Sequence, residues 1–249
     1  MTSSSFDPLA TIAIHSAGLT DAAEGRLDAR IEHCPAWSMA DLVWHVADVQ
    51  WFWATIAAEQ LSAPPDDSRR PLRPGGDAEL LAASRASARR LVEVLGEADP
   101  AAPCWTWAPG QNDVGFIVRH QVQEAAVHHW DAANAVGAPS EIATAAAADA
   151  IDEFLTFSVS TDDDPAEPER ESLGGSFAIV CSDAEASWIV GEGEGAGTVR
   201  VASSQEPALA GVTGTACDLL LWLYGRKDLE IDPAAEDVVR RFLAMRFTD

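Results

Sequence analysis

Apolar and polar positions in the first part of the chain alternate with the period of an α-helix. Residues 7–29 place Leu9, Ile12, Ala13, Ala17 and Leu19 toward one side, although Gly18 weakens the helix. The next run is Leu42, Val43, Val46, Val49, Phe52, Trp53 and Ile56. Ser38 and Asp41 precede it in the Ser-x-x-Asp spacing of an N-terminal cap, so a second helix starts there. Prolines 64, 65 and 74 mark a loop. Leu80, Leu81, Leu91, Val92 and Leu95 then form the apolar side of a third helix over residues 77–96. After Pro100 and Pro103, a fourth helix spans 114–136 and stops at Gly137, and a further one covers 143–157. Long helices joined by loops predict a bundle.

From Ser172 onward the pattern changes. Strand-like runs at 176–181, 187–190 and 198–201 are separated by glycine-rich turns, and residues 209–213 read as one more strand. An apolar helix over 215–224 and an amphipathic one over 237–246 follow. Residues 161–171 hold two prolines and no large apolar side chain, so they read as a linker or long loop. The predicted class is α+β: a helical bundle over residues 1–160, then a small α/β domain over 172–249.

Composition narrows the function. Of 249 residues, 47% are hydrophobic, enough for a core. No apolar run reaches the roughly 18 residues of a membrane span. The first nine residues lack a basic segment followed by an apolar one, so no signal peptide is expected and the location expected is cytoplasmic. The net charge of −24 disfavours phosphate backbones and anionic membrane surfaces as partners. Cys34, Cys104, Cys181 and Cys217 are scattered without a CxxC pair, which argues against a thiolate zinc site and a disulfide framework. GxGxxG, GxxxxGK and GxSxG patterns are lacking, so nucleotide cofactors and serine hydrolysis gain no support.

Candidate chemistry concentrates in the fourth helix, where His120, Glu124 and His128 recur every four residues and share one face. Imidazole nitrogen and carboxylate oxygen suit zinc, iron or nickel. The second helix supplies His45, with Asp41 and Asp48 spaced to hydrogen-bond its other ring nitrogen, as metal-bound histidines require. If the two helices face each other, His45, Glu124 and His128 form a three-ligand set with an open position, the pattern of catalytic zinc. The same residues also fit a solvated polar stripe beside a satisfied core histidine, because Glu-x-x-x-His recurs by chance.

Three segments resemble the mycothiol-dependent maleylpyruvate isomerase family. They are Cys34-Pro-Ala-Trp37 running on through Asp41-Leu42 to His45, Trp105-Thr-Trp-Ala-Pro-Gly110 with Val114-Gly-Phe116, and Glu124-Ala-Ala-Val-His128-His-Trp-Asp131. A weaker likeness continues through residues 214–226. The resemblance implies a DinB-like four-helix bundle, a sterol-carrier-like C-terminal domain, and metal ligands at His45, Glu124 and His128. It implies zinc as the ion and mycothiol as co-substrate. His120 has no ligand role in that pattern and is expected beside the site or as a polar group of the helix face, and Asp131 is expected to fix helix geometry or local hydrogen bonds. Tryptophans 37, 44, 51, 53, 105 and 107 are expected in core and pocket wall.

Arg226 follows an apolar helix, where a cation complements the helix C-terminus; by the resemblance it pairs with a substrate carboxylate as a catalytic group. The expected activity is isomerisation of an electrophilic small molecule, or thiol transfer to it. The thiol comes from outside, since no cysteine stands at a ligand position. A metal-dependent hydrolase using Asp41 or His120 as base, and a metal-stabilised regulatory module without turnover, are the alternatives.

Overall fold

A computed structural model describes residues 6–159, 172–193, 199–203 and 209–246. The linker expected at 161–171 lies outside them. The chain divides into two compact units, Ser5–Ile142 and a second containing Ala143–Asp249.

The first unit is built from α1 (Pro8–Ala23), α2 (Met39–Glu59), α3 (Asp77–Glu97) and α4 (Val114–Ala135). The starts are set by local chemistry. Asp7 accepts from Ala10 N–H ahead of Pro8, Ser38 and Asp41 complete a reciprocal capping box, and Asp113 accepts from Phe116 N–H. α1 ends earlier than residue 29, because Gly25 takes a left-handed conformation at φ +69° and turns the chain. α1 packs on α3 and α4, and α2 packs on the same two helices. Leu19, Ile31, Met39, Leu42, Val43 and Leu80 are buried in the shared core. Gly18 permits the α1–α4 approach: a Cβ there would sit 2.4 Å from the His129 ring.

The second unit begins with α5 (Thr144–Phe157). Its four strands are β1 (Ser176–Cys181), β2 (Ser187–Glu192), β3 (Val199–Ser203) and β4 (Gly211–Gly214), followed by α6 (Ala216–Leu223) and α7 (Glu236–Leu243). Strand order is β3-β2-β1-β4, with β4 parallel to β1 and the other pairs antiparallel. The two compact units divide at Ile142/Ala143, which puts α5 in the sheet-bearing unit. The cause is visible in its contacts. α5 packs on α6, Asp152 accepts from the Trp188 indole of β2, and Thr144 bonds Asp183. Phe177 of β1 meets Phe242 of α7 with ring centroids 5.2 Å apart. Among the described residues no helix is long and apolar enough to cross a membrane.

Candidate metal centre

α2 and α4 run antiparallel: His45 lies against Glu124 and His128, whereas Trp53, two turns further along α2, lies against His120. This pairing brings together the three residues that sequence spacing singled out. His45 Nε2 is 3.1 Å from Glu124 Oε1, and His128 Nε2 is 3.5 Å from the same oxygen. One donor atom from each residue lies within 4.8 Å of the others, and this trio is the one such group among the described residues. Bonds of about 2.0–2.1 Å in a tetrahedral zinc site put neighbouring donors about 3.3 Å apart. The two contacts at Glu124 Oε1 bracket that value, and with two imidazoles and a carboxylate the trio could hold a metal ion.

The electrostatics follow from the packing. Burial pushes the Glu124 carboxyl up, but the His128 imidazole and the hydrogen bond from His45 outweigh it, and the pKa settles at about 2. The carboxylate is therefore ionised at neutral pH. His128 Nδ1–H donates to Asp131 Oδ2 at 3.1 Å, with both side chains buried. That bond selects the tautomer whose Nε2 lone pair faces Glu124. Asp131 thus orients a histidine of the trio, a role that its i+3 spacing from His128 could have signalled.

The carboxylates expected to orient His45 are engaged elsewhere. Asp41 accepts from Ser38 and from Arg73, and these bonds hold its pKa at about 2. Asp48 pairs with Arg70 at 3.5 Å; burial raises its pKa against the pull of Arg70 and His45. The Trp37 ring packs on His45, with centroids 4.7 Å apart. His129 points away from the trio, its Nδ1 3.0 Å from His15 Nδ1.

His120 stands one turn before Glu124 in an aromatic setting. Its ring is parallel to Phe116 and edge-on to Trp53 and Trp107, while the Gln123 amide donates to its Nδ1 at 3.0 Å. None of the four cysteines is joined in a disulfide; burial, then Asp183, pushes Cys181 up to about 11, and burial also raises Cys104. In the second unit Arg226 is buried, donates from Nη1 to the Tyr224 carbonyl, and lies 5.9 Å from the Tyr224 ring centroid.

Residues 10–133 match the family model described as the mycothiol maleylpyruvate isomerase N-terminal domain, a span containing all three members of the trio. No curated protein and no solved structure matches the chain.

Proposed function

The chain belongs, through residues 10–133, to the family of the mycothiol maleylpyruvate isomerase N-terminal domain, and from that premise we propose that it is a metal-dependent enzyme of the isomerase type. His45, Glu124 and His128 would hold the ion, and a low-molecular-weight thiol, mycothiol by the family's name, would act on an electrophilic small molecule. Isomerisation and thiol transfer are the two outcomes of that chemistry. The observation that carries the proposal is the convergence of two imidazoles and an ionised carboxylate from two helices. When bound, a divalent ion, zinc by the family resemblance alone, would lower the pKa of a thiol and keep it as a thiolate.

The chain's own residues prepare that site. Asp131 holds the His128 tautomer, Glu124 offers its charge without first losing a proton, and Trp37 packs against the His45 ring. No cysteine belongs to the donor trio, so the thiol would come from outside the chain. By the family resemblance alone, Arg226 is kept as a candidate to pair with a substrate carboxylate. Asp41, at a pKa of about 2, is too weak a base to activate water at neutral pH, which removes one of the two bases that a hydrolase could use.

Titration calorimetry of the metal-loaded and metal-stripped protein with mycothiol tests the proposal. Heat of binding is expected with the loaded protein alone. Equal binding to both forms, or binding to neither, removes it.

A further inference from the structure

Trp107 is 42% exposed and is the one aromatic among the large exposed apolar side chains of the described residues. It is nevertheless held in a fixed geometry. Its ring meets Phe116 edge-on at 5.4 Å and 87°, and His120 at 5.3 Å and 79°. Phe116 and His120 lie parallel at 5.7 Å and 7°. Behind them Trp53 contacts His120 at 5.7 Å, and Trp105 stacks on Trp53 at 6.2 Å and 19°. Every ring in this wall is braced by another, so its outer face is presented at little cost in ordering.

The wall adjoins the donor trio. His120 precedes Glu124 by one helical turn, about 6 Å along the axis. Toward the other end of the same stripe, Trp37 lies 4.7 Å from His45 and 6.2 Å from His128. The trio between them is reachable, with side chains of His45 and Glu124 22% and 15% exposed. The arginines on the adjoining loop are engaged: Arg70 pairs with Asp48 and Arg73 with Asp41. The wall lies one helical turn from the trio, and its exposed member Trp107 offers π-surface beside it. A short aliphatic diacid gains little from such a surface, whereas a flat π-system gains offset or edge-to-face stacking.

We propose that the electrophile handled here carries an aromatic or extended planar conjugated group that stacks on the Trp107–His120 wall. The proposal rests on the metal-centre function above and adds the class of substrate to it.

The test compares two unsaturated acids that share a carboxylate and a conjugated double bond and differ in the flatness of the ring: (E)-cinnamate and (E)-3-cyclohexylacrylate. Each is titrated calorimetrically into the full-length, metal-loaded protein. Cinnamate is expected to bind about three- to tenfold more tightly. Trp107→Leu should erase the preference, and Trp107→Phe should keep part of it. Equal affinity of the two acids for the unaltered protein, a preference that survives Trp107→Leu, or binding of neither acid overturns the proposal. A parallel titration of the cobalt-substituted protein with mycothiol separates the underlying function. A visible spectrum unmoved by thiol counts against metal–thiol chemistry, whichever acid binds better.

Discussion

The two units bury different things. In the helical unit the buried polar side chains include His15, Ser16, Thr20, Gln50, Ser84, Gln121, His128 and Asp131. In the sheet-bearing unit the described residues add Glu153 and Arg226 to an interior otherwise made of groups such as Phe154, Phe177, Leu219 and Phe242. Polar groups taken out of water cost free energy unless they are bonded, so a bundle stabilised only by burial would not retain so many. In the bundle, His128 and Asp131 serve the donor set, while Thr20 bonds Ser16 within α1 and Ser84 of α3, and Gln50 of α2 bonds Ser16; the sheet unit is held chiefly by apolar packing.

That contrast can be broken by substitution. The largest effect is expected from His128→Ala. Removing one of three donors should weaken metal binding by at least about a hundredfold. Elemental analysis after dialysis should then find well under one ion per chain; an unchanged content would remove His128 from the site. Next comes Phe177→Ala in the sheet unit, expected to cost about 3–5 kcal/mol in denaturant unfolding. Metal content should stay at the unaltered level in that variant, and its loss would mean that the two interiors are not independent. Asp131→Asn keeps the shape of the side chain and removes its charge. A metal affinity lower by about tenfold is expected, read by competition with a chelator, and an unaltered affinity would reduce Asp131 to a packing residue.

The last way to break the contrast is a pH slope. Burial, and then the neighbouring His129, lowers the His15 pKa from 6.5 to about 4. The unfolded chain therefore takes up a proton that the folded chain refuses. The contribution to stability is complete above about pH 6.5 and declines as the pH falls toward 4. The melting temperature should drop by a few degrees across that window, and His15→Gln should flatten the decline. A slope of the same size in that variant would trace the effect to another group.

Much of the architecture is legible in local pattern. The Ser38–Asp41 box, Asp113 before α4 and the glycines after helices act within one turn of the backbone, so the starts of α2, α3 and α4 and the position of β1 follow from the residues themselves. The Glu124–His128 couple is equally local, because four residues on a helix always share a face. Other assignments needed contacts that spacing does not encode. Asp41 and Asp48 sit at plausible offsets from His45, yet Arg73 and Arg70 reach them from a loop far along the chain. α5 reads as one more helix in a helical series, and only the partners it meets, Trp188 and Asp183, place it with the sheet.

Periodicity and capping determined the elements, the α+β class and the acid–histidine couple, since each depends on neighbours a few residues apart. The tertiary structure decided that His45 faces Glu124 across 79 residues, that Asp131 is the acceptor for His128, and that His120 stands among aromatic rings. Those outcomes depend on which helix faces close on one another. That choice is made by the packing of whole apolar surfaces rather than by any single residue's spacing.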